Sequence, residues 1–215
     1  MNELFRTNEI KTAEAWQAAI AEFIATFSFV FLASGAVVVA INMVGQGDSS
    51  VSALLLIALA HGLAITILVA CIGRVSGGHI NPAVTISMVA TKKMGLSKGL
   101  MYVIAQLLGA TIGSYLLMII VPETIQGNLG AHVLAANIDP ATGLIIEILL
   151  TFFLVFVIFA TAVDPKGVSQ LAPLAIGSVV MVDILMGGPL TGASMNPARS
   201  FGPALVSGQW SDHWI

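Results

Sequence analysis

The stretch Ser76-Gly77-Gly78-His79-Ile80-Asn81-Pro82-Ala83-Val84-Thr85 decides the fold, and Thr191-Gly192-Ala193-Ser194-Met195-Asn196-Pro197-Ala198-Arg199-Ser200 repeats its pattern late in the chain. Both stretches are runs of small residues that end in Asn-Pro-Ala. Asn is a favoured helix N-cap, and Pro suits the first helical position because its missing N–H would go unpaired there anyway. Each stretch therefore predicts a loop that leads into a new helix.

The first of these predicted helices is too short to cross a membrane. It can run from Pro82 to about Thr91, and at about 1.5 Å per residue it would span about 15 Å, roughly half of the ~30 Å hydrocarbon core. Non-helical backbone at membrane depth is tolerated only where it is buried in protein or lines a watery cavity. Two such units of loop and half-helix therefore indicate a cavity.

The composition is typical of a membrane protein. Hydrophobic residues make up 57% and charged residues 9% of the 215 residues, whereas soluble domains carry about a quarter charged residues. This length fits one bundle, so residues 1–215 are interpreted as a single membrane domain. The net charge of −3 gives no reason to expect a nucleic acid partner. The lone Cys71 excludes an intramolecular disulfide.

Five apolar spans are predicted, at about 17–42, 51–72, 99–121, 141–163 and 168–186. The connections at 43–50 and 122–140 contain no Lys or Arg. The other connections and the N-terminal segment carry the basic residues Arg6, Lys11, Arg74, Lys92, Lys93, Lys98 and Lys166. The positive-inside rule therefore predicts a multi-pass protein with a cytoplasmic N-terminus. Arg199 lies outside this pattern and needs another role.

The chain also contains an internal repeat. The hexamer that begins at Glu22 aligns with the one that begins at Glu147, an offset of 147 − 22 = 125, and the two Asn-Pro-Ala motifs are 196 − 81 = 115 residues apart. The copies are residues 17–121 and 141–215. Each copy should hold three spans. Because three is an odd number, the two copies would cross the membrane in opposite orientations. Such inverted repeats are typical of transport proteins. The second copy stops where a sixth span is expected, so we interpret it as truncated, with the sixth helix absent from this chain.

Two half-helices that meet N-terminus to N-terminus would each present about half a positive charge. This potential opposes cations and protons, and an ion would also lose its hydration shell. A neutral water can instead bond to the side-chain amides of Asn81 and Asn196 and to backbone carbonyls. A water that accepts from both amides turns its hydrogens outward, which interrupts a proton wire. The expected carbonyls are those of Gly77, Gly78, His79, Ile80, Gly192, Ser194 and Met195.

The remaining polar residues of the spans and loops each allow two interpretations. Glu22 and Glu147 could relay protons, but are better interpreted as acceptors that hold the re-entrant loops. Arg199 could be a buried ion-pair partner, but a cation that guards a constriction is favoured. His79 is interpreted as a structural donor. We expect no metal, no cofactor and no catalytic residue, because no ligand cluster and no paired Ser and base are visible, so the protein is not expected to be an enzyme.

Taken together, Gly-Gly-His-Ile-Asn-Pro-Ala-Val-Thr and Ser-Met-Asn-Pro-Ala-Arg-Ser-Phe-Gly-Pro-Ala resemble the aquaporin (major intrinsic protein) family, from about Trp16 to Ile215. The resemblance implies an all-α, right-handed bundle of six membrane helices with two re-entrant half-helices. It also implies one pore per subunit and a homotetramer in the lipid bilayer. The pore would be lined by the motif residues Asn81, Pro82, Ala83, Asn196, Pro197 and Ala198.

The resemblance also implies a selectivity filter made of His61, Ile184, Ala193 and Arg199. This set departs from the Phe and His that strict water channels of the family usually carry, and is similar to the tonoplast intrinsic proteins of plants. That subgroup passes water and often ammonia, urea or hydrogen peroxide. His132 matches a loop histidine of ammonia-permeable members, although it could also be a solvated loop residue.

The sequence therefore leads to a passive channel for water and small neutral solutes as the first hypothesis. A glycerol facilitator is the alternative within transport, but Ser200 and Ala204 resemble the water-channel pattern, where glycerol facilitators carry Asp and Lys. A closed structural membrane protein is the alternative from another class.

Overall fold

The structure, a computed structural model, describes residues 5–215, and no strand occurs in that range. A short 3₁₀ helix, Thr7–Lys11, precedes the first long helix. The α-helices are α1 (Ala13–Gly45), α2 (Ser50–Ser76), α3 (Pro82–Ala90), α4 (Leu96–Ile120), α5 (Glu123–Gln126), α6 (Pro140–Ile158), α7 (Ala172–Thr191) and α8 (Pro197–Ser207). A π-helical turn, Phe159–Val163, extends α6, and a 3₁₀ turn, Ser169–Leu171, precedes α7. The all-helical prediction is confirmed.

Within the described residues, five helical segments are long and apolar enough to cross a membrane, as predicted. Their ends differ from the predicted spans by a few residues. The last span was predicted to end near residue 186, but α7 continues to Thr191. It ends at Gly192, whose φ of 89° is left-handed, just as α2 ends at Gly77 with a φ of 95°. Glycine adopts this backbone conformation without steric cost.

Small residues let the long helices approach closely. Helix α1 packs against α2 and α4, α2 packs against α7, and α4 packs against α8. A Cβ added at Gly109 would lie 2.4 Å from the carbonyl oxygen of Phe23, and one at Gly177 would lie 2.3 Å from that of Gly62. The hydrophobic effect does not drive helices together in lipid, so close van der Waals packing of this kind stabilises the bundle.

The half-helices α3 and α8 contain 9 and 11 residues. Each follows a loop that leaves the end of a long helix and turns sharply just before the capping Asn. Ile80 and Met195 make these turns with φ angles of 55° and 52°. Residues other than glycine rarely adopt this conformation, and they keep it only where the surrounding structure determines it. The two loops therefore have the same backbone design, which fits the internal repeat.

Candidate functional site: the pore between the half-helices

Both half-helices begin at an Asn that caps its own helix. The Oδ1 atom of Asn81 accepts from the backbone N–H of Ala83 at 2.8 Å. The Oδ1 atom of Asn196 accepts from the N–H groups of Ala198 and Arg199 at 3.1 and 3.3 Å. These bonds satisfy amides that have no partner within the helix. Among the remaining motif residues, Pro82 is buried, Ala83 is half-buried and Pro197 is exposed.

The two caps are also bound to each other's loops. The Nδ2 atom of Asn81 donates to the carbonyl of Met195 at 2.8 Å, and that of Asn196 donates to the carbonyl of Ile80 at 3.0 Å. These reciprocal bonds bring the N-termini of α3 and α8 together. A side-chain amide has two N–H groups, so one on each Asn remains for a solute. Sequence reasoning missed this pairing because it joins residues 114 and 116 positions apart.

Glu22 lies in α1 and holds the first loop from behind. Its carboxylate accepts from the backbone N–H groups of His79 and Ile80 at 2.8 and 2.6 Å, and from the hydroxyl of Ser76 at 2.7 Å. The side-chain amide of Gln106 in α4 adds a fourth donor at 2.9 Å. The carboxylate is completely buried, so these donors replace the water that it has lost.

Glu147 in α6 makes the matching set of bonds to the second loop. It accepts from the backbone N–H groups of Ser194 and Met195, both at 2.9 Å, and from the hydroxyl of Thr191 at 2.6 Å. Both carboxylates thus take up loop N–H groups, which leaves the loop carbonyls as the groups that a solute could use. This geometry favours the interpretation of both residues as loop anchors over proton relays.

The seven residues expected to supply carbonyls fall in these two loops, and some of them share a narrow cavity of about 30 Å³ with both capping Asn residues. The cavity is lined in part by Gly78, His79, Ser194 and Met195. The His79 ring lies behind the loop, where Nδ1 is 2.9 Å from the hydroxyl of Thr85. Since that ring is hydrogen-bonded and buried, the structure favours a structural role for His79.

Arg199 is 2% exposed and its guanidinium is bound by neutral groups. Its Nε donates to Nε2 of His61 at 3.3 Å, and its Nη1 donates to the carbonyl of Gly130 at 2.9 Å. Nδ1 of His61 is 2.8 Å from the carbonyl of Ile57, so this nitrogen carries the proton and Nε2 is the acceptor. Among residues 5–215, the ion pairs do not include Arg199, so the structure disfavours the ion-pair interpretation.

A cavity of about 230 Å³ lies beside the guanidinium, and the predicted filter residues meet around it. His61, His132, Ile184 and Arg199 all line this cavity. Ala193 lines the narrower cavity described above, which also touches His61 and Ile184. The two cavities therefore share two side chains, and the five residues assigned to the filter by resemblance come together in space.

His132 is half-buried and is held against the second loop and α8. Its Nδ1 lies 2.8 Å from the hydroxyl of Ser200 in α8. Its ring lies against Gly192, where an added Cβ would be 2.5 Å from the ring Cδ2. Burial first, and then the nearby Arg199 charge, hold the pKa of His132 well below its usual range. The ring is therefore neutral near pH 7, and only glycine fits at position 192 beside it.

Comparison with known proteins identifies this architecture. The family model "Major intrinsic protein" matches residues 9–215. Aquaporin TIP4-4 of Zea mays is 44% identical over 208 residues, which are 96% of this chain and 82% of that protein. A probable TIP-type aquaporin of Medicago truncatula is 42% identical, covering 93% of this chain and 79% of that protein. Aquaporin-4 of Mus musculus is 44% identical over 95% of this chain, which spans only 62% of its length.

The fold is also similar to a solved structure. The aquaglyceroporin from Plasmodium falciparum superimposes with a TM-score of 0.77 at 28% identity, over 94% of this chain and 85% of that one. The family match, the apolar helices and the paired half-helices all agree. The chain belongs to the major intrinsic protein family of aquaporin channels, and is an integral multi-pass membrane protein for passive transport of water or small solutes.

Proposed function

We propose that the protein passes water and small neutral solutes, among them ammonia, urea and hydrogen peroxide, and excludes ions and protons. The observation that carries this proposal is the reciprocal bonding of Asn81 and Asn196 between the two half-helices. It sets two helix N-termini, each with about half a positive charge, beside one narrow cavity. It also leaves one N–H on each amide for the oxygen of a passing solute.

Ion exclusion follows from the charges around this path. The macrodipoles of α3 and α8 and the cation of Arg199 all repel positive charge. Glu22 and Glu147 lie behind the loops, but their carboxylates are bonded by loop N–H groups and by the hydroxyls of Ser76 and Thr191. A cation entering the cavity would therefore lose its hydration without gaining a counter-charge.

The breadth of solutes follows from the filter. Ile184 offers no hydrogen bond and Ala193 fills little space, so the filter discriminates weakly against neutral solutes slightly larger than water. His61, His132 and Arg199 supply the polar surface of the adjoining cavity. Similarity to relatives named as TIP-type aquaporins supports the same assignment.

Reconstituted protein in liposomes tests the proposal directly. We expect osmotic shrinkage in a stopped-flow instrument to be much faster than in empty liposomes, with ammonia and urea entry but no ion conductance. The liposomes must contain the channel in its assembled form. Shrinkage at the rate of empty liposomes would favour the closed structural protein instead.

Glycerol transport is the second candidate, and one observation favours it: the solved structure to which the fold is similar is that of an aquaglyceroporin. Against it, position 200 is Ser, bonded to His132, and position 204 is a buried Ala. Glycerol uptake that exceeds water flux in the same liposomes would favour the facilitator.

We also propose that the two repeats, 17–121 and 141–215, form one channel domain, with the N-terminus in the cytoplasm and four copies per assembly. The one-sided distribution of basic residues supports the orientation. Many large apolar side chains on the outer faces are exposed in the single chain, including Trp16, Leu63, Phe152 and Phe156. Lipid and neighbouring copies would cover them. Cross-linking in native membranes tests the tetramer.

A further inference from the structure

Residues 6–11 form a short strap across the connection between α3 and α4. The guanidinium of Arg6 donates from Nη2 to the carbonyl of Lys92 at 3.1 Å. The carboxylate of Glu9 accepts from the backbone N–H of Gly95 at 3.1 Å. Both bonds span 86 positions of sequence. The N-terminal segment is therefore tied at two points to the backbone that follows the first half-helix.

The second bond satisfies the backbone N–H of the residue that begins α4. Gly95 is the N-cap residue of α4 and has no side chain to bond the free N–H groups of the first turn. Glu9 brings a carboxylate from another part of the chain to the N-cap N–H. A negative charge at this end of a 25-residue helix is also favoured by its macrodipole.

The strap fits its site closely. Gly95 is buried, and a Cβ added there would lie 2.7 Å from both the Cβ of Arg6 and Oε2 of Glu9. Arg6 has a left-handed φ of 41°, and Lys92 has one of 61°. Arg6 and Glu9 also pair with each other at 3.4 Å. Two strained residues that meet at one contact indicate a specific arrangement, since such conformations persist only where their surroundings hold them.

The connection under the strap is continuous with the half-helix that carries Asn81. The N–H groups of Lys93 and Met94 both bond back to the carbonyl of Met88, within α3. On α4, a Cβ added at Gly99 would lie 2.5 Å from a methyl group of Val89. Helix α3 is thus wedged against α4 at its C-terminal end, while its N-terminal end holds a pore Asn. A shift at one end is transmitted to the other because α3 is a single rigid helix.

We propose that Arg6 and Glu9 are positioning residues of the channel, which hold α3 in the place that keeps Asn81 within reach of the second loop. The inference rests on the proposed function, because the position of Asn81 matters only if solutes pass it. The Arg6–Glu9 pair is partly exposed, with 41% and 32% of the side chains accessible. Its charges are therefore screened by salt, so the strap is held mainly by its two bonds to backbone groups.

The test compares the full chain with Glu9→Gln, and uses Glu14→Gln as the matched control. Glu14 is exposed in the first turn of α1, so its variant removes the same charge nearby. Hydrogen exchange reports local opening of residues 92–97, and stopped-flow shrinkage of liposomes reports water permeability per protein. We expect Glu9→Gln to raise exchange in that segment about fivefold, because its amide oxygen accepts from Gly95 more weakly than the carboxylate and the charge at the N-terminus of α4 is lost. We also expect it to lower water permeability.

Glu14→Gln should change neither measurement. If Glu9→Gln does not fold, Arg6→Gln takes its place, since it leaves the bond from Gly95 to Glu9 intact and should produce a smaller change of the same sign. Unchanged exchange would overturn the proposal, and so would faster exchange with wild-type permeability. A wild-type protein that passes no water would instead defeat the proposed function.

Discussion

The side-chain amide of Asn81 donates to the carbonyl of Met195, while the amide of Asn196 donates to the carbonyl of Ile80. Each Asn therefore uses one atom to cap its own half-helix and another to bind the opposite loop. The two loops cannot move apart without breaking both bonds. This interlock explains how non-helical backbone is held in the middle of a helical bundle.

Asn196→Asp tests the interlock. The aspartate keeps an oxygen for the cap, but it loses the donor to Ile80 and places a negative charge beside the cavity. We expect water permeability to fall and cations to leak, because the positive potential that opposes them is partly cancelled. Proteoliposome conductance and stopped-flow shrinkage measure both effects. Asn137→Asp, at an exposed position, should match the wild type, and an intact cation barrier in Asn196→Asp would contradict the mechanism.

The double variant His61→Phe with Ile184→His tests the filter. The bulky ring narrows the path and the new imidazole restores a polar group on α7, so ammonia and urea flux should fall about tenfold relative to water. Stopped-flow measurements with each solute give this ratio. Leu63→Phe is the control, since residue 63 is 55% exposed on the outer face of α2. Persisting ammonia and urea flux in the double variant would show that the filter lies elsewhere.

Arg199→Val tests the cation at the constriction. It removes the charge and the donors to His61 and Gly130, so larger or charged solutes should enter. Arg199→Lys keeps the charge but loses the planar fork of donors. We expect it to exclude ions like the wild type while changing the ratio of neutral solutes. Selectivity that stays the same in Arg199→Val would make this Arg purely structural.

Glu22→Gln tests the loop anchors. The new NH₂ group would face an existing donor in a site with no access to water, so we expect a loss of about 2 kcal/mol or more in stability. Glu147→Gln should cost less, because Glu147 accepts from fewer donors and is 7% exposed. Thermal unfolding in detergent ranks the two variants, with the exposed Glu123→Gln as the control. Equal melting temperatures for all three would contradict the anchoring role.

Gly192→Ala tests the contact between the second loop and His132. The methyl group would lie 2.5 Å from the imidazole and would sit on a backbone with a φ of 89°. Gly208→Ala is the matched control, because its φ is 76° but nothing lies within 4 Å. Both variants should lose about 1–2 kcal/mol through backbone strain. Only Gly192→Ala should also change solute selectivity, and identical behaviour of the pair would argue against His132 as a filter residue.

The sequence alone predicts the membrane spans and the starts of the two half-helices, because these features depend on local physical chemistry. Hydropathy located the five spans, and Asn-Pro-Ala located the starts of α3 and α8, because apolar length and helix capping each act over a few neighbouring residues. The repeated hexamers and motifs predicted two related halves, and the family comparison confirms the aquaporin assignment. The filter residues came from resemblance alone, and their roles stay predictions.

The tertiary structure alone decided which groups pair across the molecule. The bonds from Asn81 and Asn196 to the opposite loops, the bond from His132 to Ser200 and the bond from Gly95 to Glu9 all join residues that are distant in sequence. Such pairs depend on how whole helices pack and on where a turn directs a carbonyl. A pattern of residue types does not encode these distances, because one side chain offers several donors and acceptors and only the packed chain selects among them.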